Sequence, residues 1–237
     1  MSESNINKII LLNDLLQEEI KNYSGLTTSE LQEKFNIALK SKNINYVIFQ
    51  KIIANSKNSF VINDLLKECS CVIKTINLEW NDTLKESMSL RAFKYCEIVN
   101  ESWNQSTLRN YFNDNIFIFV IFKKDFNDSI LENIKVWKMP NEILDNDVKE
   151  VWIKTQTLIK EGKIVNYIDN KGRYITYFPT SGETKYVHVR PHAQSASDTY
   201  PLPVNDKQTN KNSFVKHSFW INSHFIRKIV VEGKYYA

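Results

Sequence analysis

The chain has 237 residues, 42% hydrophobic and 24% charged, close to globular averages, which excludes wholesale disorder. Its length suits one or two compact units. A net charge of +4 is too small for a histone-like polycation.

Ile6, Ile9, Ile10, Leu15, Leu16 and Ile20 recur among polar residues over 6–22, the spacing of an amphipathic helix. Ser24-Gly25 closes it, and Thr27 with Glu30 forms a capping-box pair that opens a second helix to about residue 35. A third helix is predicted over about 45–54, so the first 55 residues read as helical. Cys71–Leu78 is then alternating and β-branched, a strand. Residues 90–100 read as a helix. Residues 116–122 (IFIFVIF) form the longest apolar run, a buried central strand, with 134–139 as its neighbour. Pro140 begins a turn, Asp145 or Asn146 caps a helix to about residue 161, and Gly162 falls at its C′ position.

Asp169-Asn170-Lys171-Gly172 between 164–167 and 174–178 signals a hairpin. A strand follows at 185–190, then a polar loop over 193–213 with two prolines. Residues 214–231 read as a helix, or as a short strand followed by a helix. Helices followed by strands with interspersed helices predict an α/β (α+β) fold. It is read as one domain over 1–237, with a helical part at 1–55 and a mixed sheet with helices at 56–237.

The charge is local. Residues 1–181 hold 23 basic and 23 acidic side chains, whereas 182–237 hold 8 and 4, together with all four histidines. Such asymmetry points to a polyanion-facing end, or to a small fluctuation. Cys69, Cys71 and Cys96 are too few for a disulfide framework and lie far from the histidines, so reduced thiols are expected. The N-terminus lacks a basic, apolar leader, and a seven-residue apolar run is too short to span a bilayer. A soluble, cytoplasmic protein with no membrane partner is the expectation.

No glycine-rich phosphate loop and no Gly-x-Ser-x-Gly elbow is present. His188 and His192, four apart on a strand, would lie about 13 Å from each other, too far to share one ion without a bend. The segment His188-Val189-Arg190-Pro191-His192 ends a strand in Arg190, whose guanidinium can present a fork to phosphate or to a guanine edge. The alternative is an Arg190 paired with an acidic neighbour. In residues 214–222, Phe219 and Trp220 read as core, leaving Lys216 and His217 as the better candidates for DNA contact.

These residues reach a recognisable pattern. Tyr23-Ser24-Gly25-Leu26-Thr27 with Glu30-Leu31, Ile73-Lys74-Thr75-Ile76, Lys85-Glu86-Ser87-Met88-Ser89 with Phe93-Lys94, the His188–His192 segment and residues 216–222 occur in one order over nearly the whole chain. In that order they resemble the MutH and Sau-type GATC restriction endonucleases. The resemblance implies a restriction-endonuclease-like mixed sheet flanked by helices, with arms clasping duplex DNA. It implies cleavage at GATC by Mg²⁺ held on an Asp, a Glu-x-Lys and a helical Glu. Hard Mg²⁺ takes carboxylate oxygens, and the Lys supports the attacking water.

The sequence departs from that pattern at the metal. Lys74 is kept, but Val72 replaces the Glu of Glu-x-Lys, Gln50 replaces the helical Glu, and Asp64 meets the remaining position only after a one-residue shift. Glu68 is a minor alternative ligand. No catalytic or metal-ligating residue is therefore expected, Asp64 and Lys74 being vestigial. The wording at 85–89 and 188–192 is closer to the C-terminal half of the Sau-type enzymes, which binds a second GATC site as effector.

The resemblance thus implies a GATC-binding effector module of a type II restriction endonuclease, without a cofactor. Its partners would be GATC duplex and a catalytic MutH-like half, fused or separate, or a second copy. The expected DNA contacts are Arg190, His192, Gln194, Lys216, His217, Lys85, Ser87 and Arg91. Phe214 stands where the MutH side of the family carries a Tyr near the DNA. The alternatives are an active Mg²⁺-dependent nuclease with rearranged ligands, and a structural subunit of a restriction complex.

Overall fold

The computed structural model describes residues 3–38 and 43–233. The chain separates into two compact units, one from residues 1–85, 114–139 and 227–237, the other from 86–113 and 140–226. Each unit is entered and left more than once, which is why no linker marks the division in the sequence. The class is the expected α+β, with small sheets flanked by helices.

The first unit opens with α1 (Glu3–Lys21), α2 (Thr28–Lys34), α3 (Ile44–Ala54) and α4 (Ser59–Glu68). The predicted capping box starts α2: the Glu30 amide donates to Thr27 Oγ1 at 3.2 Å, and the Thr27 amide donates to the Glu30 carboxylate at 2.7 Å. The sequence reading missed α4. It is ten residues long, its N-cap Asn58 makes no side-chain capping bond, and Ile62 and Leu65 are its buried residues.

Strand β1 (Cys71–Leu78) lies where expected. The second unit's first elements are β2 (Met88–Phe93), α5 (Tyr95–Ile98) and α6 (Thr107–Asp114), which runs up to the division between the units. Residues 90–100 are therefore not one helix. The first part pairs as a strand, and such partners outweigh local propensity. Strands β3 (Ile116–Asp125) and β4 (Asp128–Trp137) complete a first-unit sheet of order β1-β3-β4, parallel then antiparallel. One face of β3 (Ile118, Val120, Phe122) packs with Leu12 and Leu16 of α1, Ile48 and Ile52 of α3, and Ile62 of α4. Phe117, Phe119 and Ile121 on its other face are buried as well. That double burial explains the unbroken apolar run.

In the second unit the long helix starts earlier than predicted, at Asn141. It runs through α7 (Asn141–Ile143), a π-turn over Leu144–Val148 and α8 (Lys149–Lys160). Asp145 does not cap it: its carboxylate accepts from Trp103 Nε1 at 2.7 Å and from Arg109 Nε at 2.8 Å. The Arg109 guanidinium holds the Asp145 carboxyl below the usual carboxylate range. The helix ends as predicted, with Gly162 at φ +64°. Gly162 N–H donates to Ile159 O at 3.1 Å and Lys163 N–H to Leu158 O at 2.8 Å, a Schellman closure.

The hairpin β5 (Val165–Ile168) and β6 (Tyr174–Thr176) follows, its turn fixed by Asp169, which accepts from the amides of Lys171 and Arg173, each at 2.9 Å. Then come β7 (Val187–Pro191), β8 (Thr199–Pro201), β9 (Ser213–Val215), β10 (His217–Ile221) and α9 (Ser223–Val230). The expected loop at 193–213 contains β8, which pairs with β9, and the C-terminal segment is strand then helix. Sheet order β2-β10-β7 is antiparallel throughout. Buried Asp206 ties the long loop to the helix exit, accepting from the amides of Ile164 at 3.0 Å and Val165 at 2.9 Å.

At Gly162 a Cβ would stand 2.5 Å from the carbonyl oxygen of Asn205. Strain at positive φ and this clash against backbone act together. Gly162→Ala is expected to destabilise the fold by roughly 1–3 kcal/mol, measured as a lowered midpoint in thermal or urea unfolding.

Candidate nucleic-acid interface

Alternation along β10, the middle strand of the second unit's sheet, sorts its side chains. His217, Phe219 and Ile221 face an aromatic core: Phe219 lies 5.1 Å from Phe93, and His217 lies 5.0 Å from Phe178 and 5.6 Å from Phe214, stacked on the latter. His217 is 1% exposed, its Nδ1 2.8 Å from Val215 O and 2.9 Å from Tyr95 Oη. Burial pushes its pKa down to about 4, so the ring is neutral at pH 7. Expected from the sequence to touch DNA, His217 is an interior residue. Phe214 beside it is buried too.

Ser218 and Trp220 take the opposite face. In the β7–β10 register Ser218 stands across from Arg190 and Trp220 across from His188. His188 is buried and makes a short hydrogen bond to Asn222 Oδ1, and burial lowers its pKa. Arg190 is exposed at the end of β7, its guanidinium carbon 4.5 Å from the centroid of the Trp220 ring. His192, also exposed, meets the same ring nearly edge-on at 5.7 Å. Among the described residues Arg190 has no ion pair. Of the two readings of Arg190, the acid-paired one is not what the structure contains.

The acid-paired cation is Lys216. It forms a short ion pair with Asp198, its ammonium lies 4.7 Å over the Tyr200 ring, and Asp198 also accepts from the Gln194 amide at 3.1 Å. The Lys216 ammonium holds the Asp198 carboxyl below its ordinary range. Ser87 Oγ accepts from the Ser223 amide at 3.2 Å, at the foot of α9. Arg91 is exposed on β2, and its charge reaches the Tyr111 hydroxyl. The second unit thus brings Arg190, His192, Gln194 and Lys216 to neighbouring positions on and beyond β7 and β10. Lys85 belongs to the first unit and pairs with Glu79 at 3.1 Å, which also holds Lys124 at 2.8 Å.

The first unit holds Gln50, Asp64, Val72 and Lys74, the positions compared in the sequence reading with a nuclease metal site. Val72 and Lys74 project from β1 in register with Phe117 and Phe119. Lys74 is half-buried, and burial alone lowers its pKa; no carboxylate contributes. Asp64 lies on α4, and Glu68 at its end pairs with Lys8 at 2.9 Å. Gln50 donates to Tyr46 Oη at 3.2 Å. Among the described residues no three His, Cys, Asp or Glu side chains group closely enough to hold a metal ion. The donor set around Lys74 does not fit Mg²⁺, which takes carboxylate oxygens. Among the described residues no helix is long and apolar enough to cross a membrane.

The family model described as DNA mismatch repair enzyme MutH matches residues 51–147, the stretch carrying Asp64, Val72 and Lys74. Over an alignment of 249 positions the chain is 28% identical to the type II restriction enzyme Sau3AI of Staphylococcus aureus, covering 92% of this chain and 51% of that enzyme. The chain is similar to the MutH-like restriction endonucleases. It spans about half the length of the curated relative it matches.

The sequence reading missed Trp220, assigning it to the core with Phe219. The signal was present in the period of two: if His217, Phe219 and Ile221 fill one face, Trp220 must take the other. The same reasoning moves His217 inward.

Because the folded chain holds His217 below the ordinary histidine value of 6.5, the unfolded chain takes up the proton first as pH falls. Stability is therefore complete above about pH 6.5 and is lost toward pH 4, on the order of 1.4 kcal/mol per pH unit. His188 adds in the same direction. Thermal melts between pH 7 and pH 5 should show this slope, and His217→Gln, though less stable at pH 7, should show a shallower one.

Proposed function

We propose that this chain is a sequence-specific duplex-DNA-binding module of a type II restriction system, that it recognises GATC, and that it acts as an effector rather than as the cutting half. The observation that carries this reading is Arg190: an exposed guanidinium at a strand end, without a carboxylate partner among the described residues and backed by an aromatic ring. An arginine so placed can offer its fork to O6 and N7 of a guanine, or to two phosphate oxygens. His192 and Arg91 supply further exposed polar groups in the same unit. Lys216 enters only by exchanging Asp198 for a phosphate, so its contribution is smaller than its charge suggests.

Without carboxylates beside Lys74, the chain holds DNA and leaves hydrolysis to a MutH-like half, fused or separate. That half-length similarity to a restriction enzyme supports this division of labour. Lys74, partly desolvated and without a carboxylate, would favour a phosphate as its counter-ion.

Gel-shift titration should find tighter binding to a GATC duplex than to a scrambled one, with affinity falling as salt rises. Arg190→Ala should weaken the GATC complex by about 1–3 kcal/mol if it reads a base edge. Equal affinity for both duplexes sinks the specificity. Cutting of a GATC plasmid by the chain alone with Mg²⁺ would instead make it a nuclease.

A further inference from the structure

Trp220 is half-buried on β10, yet its ring is not placed by a hydrogen bond. Among the described residues Nε1 is buried with no acceptor. The ring is met instead by two exposed side chains: the Arg190 guanidinium carbon lies over it, 4.5 Å from the centroid, and His192 makes an edge contact at 5.7 Å. The strand beneath is held on both sides, by β2 and by β7, and Ser218 across from Arg190 is fully buried. The indole is therefore a fixed platform under an otherwise free side chain.

An unsupported arginine loses about 2 kcal/mol of rotamer entropy when immobilised on a ligand. A guanidinium held over an indole at 4.5 Å is already restricted, while its N–H donors stay available to a ligand because no carboxylate among the described residues takes them. We propose that Trp220 is the positioning residue of the recognition site: it fixes the plane of Arg190, and with it His192, so that the fork meets one base pair or phosphate in one orientation. The inference rests on the DNA-binding reading above and adds to it which residue sets specificity from behind the contact.

The test is a double-mutant cycle on the full chain with GATC and scrambled duplexes. Trp220→Leu keeps an apolar side chain and removes the π face; Trp220→Phe keeps a smaller ring and gives up an indole N–H that makes no bond. A cation–π contact corresponds to about three- to thirty-fold in affinity. Trp220→Leu should weaken GATC binding by that factor and leave scrambled-duplex binding within about two-fold. Trp220→Phe should recover at least half of the loss on a logarithmic scale. In an Arg190→Ala background, Trp220→Leu should have almost no further effect.

If Trp220→Leu weakens binding by the same factor with and without Arg190, the ring serves the fold rather than the arginine, and the inference falls. Unchanged affinity in Trp220→Leu also overturns it. If Trp220→Leu does not fold, the Trp220→Phe cycle decides, since coupling to Arg190 must appear there in weaker form. An unmodified chain with no duplex affinity overturns the DNA-binding reading and this inference with it, a result distinct from binding that ignores Trp220.

Discussion

Strand β10 is hydrogen-bonded on both sides, to β2 and to β7, and its sidedness decides where the second unit puts its chemistry. Pairing in that register drives His217, Phe219 and Ile221 into the aromatic core, and a shift by one residue would send all three outward. His217 cannot be both a stacked, neutral core ring and a charged surface contact. Its burial is what leaves Trp220 at the outer face, where an arginine from β7 can rest on it. The bulge between Ser218 and Trp220 in the β2 pairing lies at this point of the strand. Bulges of this kind re-aim side chains next to functional positions.

The first unit follows a different constraint. Its central strand is buried on both faces, so every residue of IFIFVIF is held in place by apolar packing. β1 runs parallel to it, with Val72 beside Phe117 and Lys74 beside Phe119. Val72 is half-buried, so a carboxylate at position 72 would lose part of its hydration, a cost that grows where no cation partners it. A bound divalent cation offsets that penalty in a nuclease. Valine packs there without one.

Much of this was legible before the structure. The capping box at Thr27 and Glu30, the Gly162 terminus, the Asp169–Gly172 hairpin and the IFIFVIF strand each rest on local chemistry, and each appears where local chemistry puts it. Residues 90–100 were misread because their first part has a strand partner more than 120 residues away, and the ten-residue α4 was missed although its apolar residues fall on one face. At the candidate site, Arg190 could be singled out because a strand visibly ends there. Its freedom from acid, and the capture of Lys216 by Asp198, depend on how a loop folds back, which no local pattern records.

The charge asymmetry gains a narrower meaning from these pairings. Of the basic residues in the last 56 positions, Lys216 is held by Asp198 and Arg227 by Glu232, so counting charges overstates what is offered to a polyanion. Non-specific attraction scales with the number of unneutralised cations that reach phosphate, and two of the eight are already engaged within the fold. The Arg190 guanidinium, braced on Trp220, adds something that summed charge does not. Its advantage lies in orientation: the less the binding depends on summed charge, the more of it must come from donor geometry, which differs from one base pair to the next. On the proposed reading, specificity without strong general affinity is what an effector site requires, since it must remain empty on DNA that lacks its sequence.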